Sequence, residues 1–362
     1  MLKSLKIENF RCFPSFEMQQ LGRLNLLVGT NNSGKTSILE AIQLLTAQSS
    51  FEILQILKNV MIGRGEYISD DSGNRELDIR HIFYGHEIPF GCKFLIAGEN
   101  EYSLEEISIS IEFNAEQSKL SDDWSEKFLS IDRSGQRNES DKIPISSNEA
   151  IPIEYTRRNN RKSPKDSEVK MQFVSSSSLT TERMIELFDR IVLTPDEDLI
   201  IKALQTIEEN IQRIATVGRG RIVKYRESEF RTGFAVLFSS NNQRIPIGSM
   251  GDGIWRILGL ALAIVNAKDG VLLVDEIDTG LHFTAMSDMW KMLWKTAKRL
   301  NVQIFATTHS KDCWTSLEDI SNAEHPSEDG ITIHRIEKGK TKSIVFTERQ
   351  IAIAAENDIE VR

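Results

Sequence analysis

The sequence predicts an α/β protein with a mainly parallel central sheet, an antiparallel β part and an inserted helical subdomain. Three observations lead there. A buried run, Leu24-Asn25-Leu26-Leu27-Val28, enters a glycine-rich loop that is followed by residues at helical spacing. Much later, the apolar run Val271–Val274 ends in two acids, Asp275 and Glu276. From there to Val302–Thr307, strand and helix patterns alternate, as they do in a parallel sheet covered on both faces.

The elements follow in order. Leu2-Lys3-Ser4-Leu5-Lys6-Ile7-Glu8 alternates like a half-buried strand and leads into Asn9-Phe10-Arg11-Cys12-Phe13. After the glycine loop, Ile38, Ala41, Ile42 and Leu45 give one apolar helix face. Ile107, Ile109, Ile111 and Phe113 alternate with polar residues and read as a strand. Residues 114–172 are rich in Ser, Asn, Asp, Glu, Lys and Arg, and read as a polar insertion with short strands around Ile151 to Tyr155. Helical periodicity returns at Met184, Ile185 and Phe188, then at Leu199, Ala203, Leu204, Ile207 and Ile211. These helices are too short for long coiled-coil arms. Phe234–Phe238 reads as a strand, Ile254–Ile264 as a hydrophobic helix, Phe283–Leu300 as a helix and Val302–Thr307 as a strand. The division expected is 1–113, 114–230 as the insertion, and 231–362.

Composition narrows the class. With 362 residues, 40% of them apolar and 27% charged, the chain can bury a core, and one large domain carrying an inserted subdomain fits its length. Cys12, Cys92 and Cys313 stand far apart without a CxxC pair, which argues against a disulfide framework or a zinc site. No signal peptide or membrane-spanning run is apparent, so a cytoplasmic location without membrane contact is expected. The net charge of −9 gives no overall pull towards nucleic acid. Two local basic clusters, Arg157, Arg158, Arg161, Lys162 and Lys165, then Arg219, Arg221, Lys224 and Arg226, read either as solvated loop charge or as a DNA patch.

Four motifs carry chemistry. Gly29-Thr30-Asn31-Asn32-Ser33-Gly34-Lys35-Thr36, with Ser37, is a full GxxxxGKT between a strand and a helix. Its backbone amides and the helix N-terminus suit phosphates, Lys35 the β- and γ-phosphates of ATP, and the Thr36 hydroxyl Mg²⁺. Asp275, at the end of an apolar strand, is the second candidate Mg²⁺ group, and Glu276 the group that activates water. Thr307-Thr308-His309-Ser310 ends the next strand, where His309 can sense a γ-phosphate. Gly248-Ser249-Met250-Gly251-Asp252-Gly253 is a second glycine loop before a helix, with its own amides for an anion.

In this order the four motifs resemble the ABC-type ATPases of the RecF, SMC and Rad50 group. They are most similar to the ATPase domain of the overcoming-lysogenization-defect (OLD) family and to bacterial AAA-type defence ATPases. Asp275-Glu276-Ile277-Asp278-Thr279-Gly280-Leu281-His282 looks like that branch's D-loop, and Asn9-Phe10-Arg11-Cys12-Phe13 like its opening, whose arginine lies near the nucleotide. The resemblance implies a P-loop NTPase of ABC type that hydrolyses ATP with Mg²⁺. It also implies a homodimer or higher oligomer with composite ATP sites, in which Ser249 and Gly251 of one copy face Lys35 of another. Two departures stand out. No Gln loop is evident; His81 and His86 fall where a γ-phosphate-contacting loop would, and read more simply as buried or surface histidines. No TOPRIM nuclease domain follows, so a separate effector protein, for instance a nuclease, is expected, with a role in anti-phage defence. Alternative readings are a RecF-like ATPase that binds duplex DNA directly, and a slow ATP-bound scaffold.

Overall fold

Apolar side chains at alternate positions make β1 (Leu2–Phe10), with Leu5, Ile7 and Phe10 buried, and a tight turn returns the chain as β2 (Phe13–Met18). The computed structural model describes residues 1–69, 75–89, 91–113, 127–135, 138–146, 148–153, 155, 171–217, 233–239, 244–321 and 329–361. Next come the fully buried β3 (Leu24–Val28) and the helices α1 (Lys35–Thr46) and α2 (Ser50–Arg64). The Ser49 side chain caps the start of α2, and left-handed Gly65 closes it. The strands β4 (Tyr67–Ser69), β5 (Arg75–Asp78), β6 (Lys93–Asn100), β7 (Leu104–Phe113), β8 (Lys127–Ser134), β9 (Glu139–Pro144), β10 (Ala150–Pro152) and β11 (Met171–Val174) follow. After them come α3 (Thr181–Asp189), α4 (Glu197–Leu204), β12 (Ile211–Thr216), β13 (Phe234–Phe238) and β14 (Arg244–Pro246). The chain continues with α5 (Asp252–Val265), β15 (Val271–Val274), α6 (Met286–Leu300), β16 (Gln303–Thr307), α7 (Lys311–Thr315) and α8 (Glu318–Ser321). It closes with β17 (Ile331–Arg335), β18 (Ile344–Thr347) and α9 (Glu348–Glu356).

Two compact units result. The first comprises Met1–Leu21, Gly29–Glu168 and His334–Val345; the second comprises Gly22–Val28, Val169–Ile333 and Phe346–Arg362. The first unit carries an antiparallel sheet in the order β2-β1-β6-β7-β8-β9 and a small one in the order β10-β5-β4. Helix α1 packs on β6 and β7, burying Ile38, Ile42 and Leu45, and Phe10, Phe83 and Phe94 meet ring to ring beneath the sheet's start.

The central sheet has the order β11-β15-β16-β3-β17-β18, and its first four strands, all in the second unit, run parallel. Parallel neighbours end at the same edge, so Val174, Val274, Thr307 and Val28 finish side by side. Helices α5 and α6 cover this sheet with Ile257, Leu258, Leu260, Trp290 and Leu293, each fully buried. The antiparallel sheet β12-β13-β14 completes the second unit. The architecture is therefore α/β with a mainly parallel central sheet plus an antiparallel β part, as the sequence predicts. Among the described residues no helix is long and apolar enough to cross a membrane.

Three local expectations need correction. Within the stretch read as a polar insertion, Lys127–Ser134 and Glu139–Pro144 extend the antiparallel sheet and Met171–Val174 joins the parallel one. Leu129 and Ile131 face the core while Ser130 and Asp132 alternate with them, and the polar half of that alternation masks the strand. Ile211 does not continue a helix: α4 ends at Leu204, and Ile211 pairs with Phe238 as the first residue of β12. Pro152, which has no N–H to extend the ladder, ends the strand expected to reach Tyr155.

Candidate functional site

The glycine loop of the first unit is shaped by backbone that only glycine accommodates. Gly29 has φ 147°, and a Cβ there would lie 2.3 Å from the Ile336 carbonyl oxygen. Gly34 has φ 100°, and a Cβ there would lie 2.3 Å from the Phe13 ring and 2.7 Å from Cys12 Sγ. The β1–β2 turn thus packs directly on the start of α1. Gly34, the N-cap residue, makes no side-chain cap bond there, and a helix N-terminus of this kind suits an anion. Thr30, Asn31 and Asn32 are exposed, Asn32 with a left-handed φ of 59°, whereas Ser33, Lys35 and Ser37 are buried and Thr36 is half-buried. Lys35 Nζ donates to the carbonyls of Gly29 (2.8 Å) and Thr30 (2.9 Å), so the ammonium lies folded into the loop it belongs to. Ser33 Oγ is buried without a hydrogen-bond partner. A buried serine hydroxyl without a partner, a glycine at the helix start and a buried lysine around one loop fit a polyphosphate.

Arg11 joins this loop through α1 rather than by entering it. Its Nε donates to Glu40 Oε2 (3.2 Å), its Nη1 to both oxygens of Glu66 (2.6 and 2.8 Å) and to the His81 carbonyl (2.9 Å). Arg64 holds the other Glu40 oxygen at 2.7 Å. Burial pushes the Glu40 carboxyl above its usual range, while Arg11 and Arg64 pull it back. Breaking such a buried pair costs far more than its presence gains. His81 and His86 lie together at the surface, their Nδ1 atoms 3.3 Å apart, with His81 beside Asp78.

The acid turn belongs to the second unit. The Asp275 amide continues the β11–β15 ladder by donating to Val174 O (2.8 Å). Thr307 Oγ1 donates to Asp275 Oδ1 (2.6 Å) and accepts the Glu276 amide (2.8 Å). Glu276 has φ 47°, a left-handed value rare for a side-chain-bearing residue and a mark of functional turns. Thr308 Oγ1 donates to Asp278 Oδ1 (2.6 Å), and Ser310 caps α7, so both neighbours of half-buried His309 are fixed. Among the described residues no three His, Cys, Asp or Glu side chains are grouped to hold a metal. Asp275 in the second unit and Thr36 in the first each offer a hard oxygen of the kind Mg²⁺ takes.

The second glycine loop is exposed. Gly248, Ser249, Gly251 and Asp252 face solvent, and Ser249 Oγ donates to Pro246 O (2.7 Å). Gly251 (φ 93°) is the N-cap residue of α5 and has no side chain to cap it. Beside it lies the exposed Thr279-Gly280 turn: a Cβ on Gly253 would sit 3.5 Å from Gly280 O. Phe283, 59% exposed, follows that turn. The basic clusters at 157–165 and 219–226 lie outside the described residues.

Sequence reasoning missed two residues here. In the sequence Thr307 reads only as the end of a strand and the first residue of the Thr307–Ser310 motif, without a role of its own. Arg256 was hidden in the helix Ile254–Ile264, although a single charge in so apolar a run was the available signal.

A family model described as "AAA domain, putative AbiEii toxin, Type IV TA system" matches residues 24–312. The chain belongs to this family. Together with the glycine loop and the parallel sheet, the match makes this AAA-family protein a P-loop NTPase of ABC type. It is 23% identical over 351 residues to an ATP/GTP phosphatase of Helicobacter pylori, covering 88% of this chain and 88% of that protein. It is 46% identical over 50 residues to the DNA replication and repair protein RecF of Clostridioides difficile, covering 14% of each. The Smc head domain with an extended coiled coil, bound to the C-terminal domain of ScpA derived from Pyrococcus furiosus, superposes with a TM-score of 0.47 at 11% identity, covering 99% of this chain and 100% of that one.

Proposed function

We propose that this AAA-family protein is an ATP-driven switch that binds and hydrolyses ATP, closes head to tail with a second copy, and thereby controls a partner effector. The observation that carries the reading is the exposed Gly248–Gly253 loop at the start of α5, beside the Thr279-Gly280 turn. It is a second anion-binding feature, facing outward, available to the triphosphate held by another copy.

The roles divide accordingly. Gly29 to Ser37 cradle the phosphates, with Lys35 leaving its own carbonyls for the β- and γ-oxygens. Thr36 and Asp275 hold Mg²⁺, which when bound neutralises developing charge on the phosphates. Glu276 takes the proton of the attacking water, and His309 reads the presence of the γ-phosphate. Arg11 stiffens the loop through Glu40 of α1. The family's toxin–antitoxin description supports an effector on a separate chain, and the resemblance of the four sequence motifs to OLD ATPases is what suggests a role in anti-phage defence.

The test is the solution mass and turnover of Glu276→Gln with and without Mg²⁺-ATP. The expected result is retained ATP binding, turnover lower by roughly 10²-fold or more, and a copy number that rises with ATP. A monomer under both conditions would remove the head-to-tail mechanism. The RecF match favours a second reading, direct binding of duplex DNA, which requires ATP-stimulated and salt-sensitive association.

A further inference from the structure

Arg256 lies on α5, one turn beyond the outward-facing glycine loop, and is buried among apolar neighbours. A charge in that position needs a strong structural reason. Its Nη1 donates to Ser175 O (2.8 Å), and its Nη2 to Asp275 O (3.1 Å) and Glu276 O (2.9 Å). These carbonyls follow the carboxyl ends of two neighbouring parallel strands, β11 and β15, where the ladder stops supplying partners. The Glu276 carbonyl is the one displaced by the left-handed turn (φ 47°), and it also accepts the Thr279 amide (3.0 Å). Burial lowers the guanidinium to about 10, against the opposing pull of Asp278, Asp275 and Glu276, so it stays charged at neutral pH. A planar guanidinium offers several donors in fixed directions, which an ammonium cannot reproduce across three carbonyls.

We propose that Arg256 is a positioning residue that ties the helix of the outward-facing glycine loop to the main chain of Asp275 and Glu276, so that engagement of that loop sets the placement of the general base. This rests on the ATP-switch reading above. The Ser175–Ser178 loop is held by the same guanidinium as the acid turn. Its own bonds, Ser175 Oγ to Ser178 O (3.0 Å) and Ser175 Oγ to Ser177 Oγ (2.9 Å), make it a compact partner. It is a serine-lined loop tied by Arg256 to the same turn as the acids.

The experiment measures ATP turnover and binding of a fluorescent ATP analogue for the full chain and for Arg256→Lys, Arg256→Met, Ser249→Arg and the Lys/Arg double variant. Arg256→Lys is expected to lower kcat by roughly tenfold to a hundredfold, the scale of a small misplacement of a reacting group, with KM and nucleotide affinity within about twofold. Ser249→Arg is expected to lower turnover in the wild-type background and to add little to Arg256→Lys, because both cut the same link. Wild-type kcat in Arg256→Lys overturns the proposal, as does a loss of nucleotide affinity equal to the loss of turnover, or full additivity in the double variant. If Arg256→Met does not fold, Arg256→Lys decides. If neither folds, the guanidinium serves the fold alone and the proposal fails. A wild-type chain without turnover sinks the ATP-switch reading itself, whereas normal turnover in wild type and Arg256→Lys alike sinks only this inference.

Discussion

The hydroxyl of Thr307 stands 2.6 Å from Asp275 Oδ1 and donates its proton to it, while the same oxygen accepts the amide of Glu276 at 2.8 Å. One side chain on β16 thereby orients both acids at the end of β15. Thr307→Val keeps the shape and removes both bonds in a position that is 1% exposed. The half-buried Glu276 amide then lacks its acceptor, at a cost of up to about 1–3 kcal/mol, and turnover falls because Asp275 and Glu276 lose their common support. Thr307→Ser restores both bonds. Urea unfolding and steady-state turnover of the two variants check this; equal behaviour of Val and Ser would separate Thr307 from the acids.

The two glycine loops respond differently to alanine. At Gly34 a Cβ meets the Phe13 ring at 2.3 Å and the backbone has φ 100°, so Gly34→Ala suffers both crowding and strain. At Gly251 the space is open and only φ 93° opposes a side chain. Backbone strain of this kind costs roughly 1–3 kcal/mol. Gly34→Ala is therefore expected to melt earlier and to lose nucleotide binding. Gly251→Ala should retain binding by the single chain and lose ATP-dependent association. Thermal melts, nucleotide titration and solution mass separate the two; loss of nucleotide binding in Gly251→Ala would place that loop's role within its own chain.

Much of this was legible in the amino-acid order because some chemistry needs particular residues in a row. A phosphate cradle needs Gly29, Gly34 and Lys35 at fixed intervals, and an apolar strand that ends in Asp275 and Glu276 is equally local. Thr307 and Arg256 act on groups that only the sheet brings together, including main-chain carbonyls, which leave no mark in sequence. The strand Lys127–Ser134 escaped because polar residues alternate with Leu129 and Ile131 along it, even though Ser130 is buried as well. Ile211 misled because apolar spacing compatible with a helix ran on past a turn at Gln205–Ile207.

Burial draws His334 on β17 down to about 3, with its Nδ1 3.1 Å from Ser343 Oγ. The folded value is below the ordinary 6.5, so the fold favours neutral imidazole. The contribution to stability is present above about 6.5 and is lost as the pH falls from there towards about 3. The slope from one such group approaches about 1.4 kcal/mol per pH unit. His334→Gln, which does not titrate, is expected to flatten the acid limb of the stability profile. Urea unfolding from neutral to mildly acidic pH measures it, and an unchanged slope would move the acid sensitivity elsewhere.

The three thiols report on both units without any substitution. Burial raises all of them: Cys12 modestly, Cys92 to about 11, and the fully buried Cys313 furthest. The thiolate is the species that reacts with iodoacetamide, so Cys12 is expected to label first, and only slowly until the pH exceeds the usual thiol range. Cys92 should follow, and Cys313 should wait for unfolding. Cys12 is exposed, hydrogen-bonds to Ser37 at the start of α1, and lies where a Cβ on Gly34 would point. Nucleotide in the loop is thus expected to slow Cys12 labelling while leaving Cys92 unchanged. Peptide mapping by mass spectrometry with and without Mg²⁺-ATP follows each thiol separately. Equal protection of Cys12 and Cys92 would indicate a global stabilisation, whereas selective protection of Cys12 places the nucleotide at the turn that packs on Gly34.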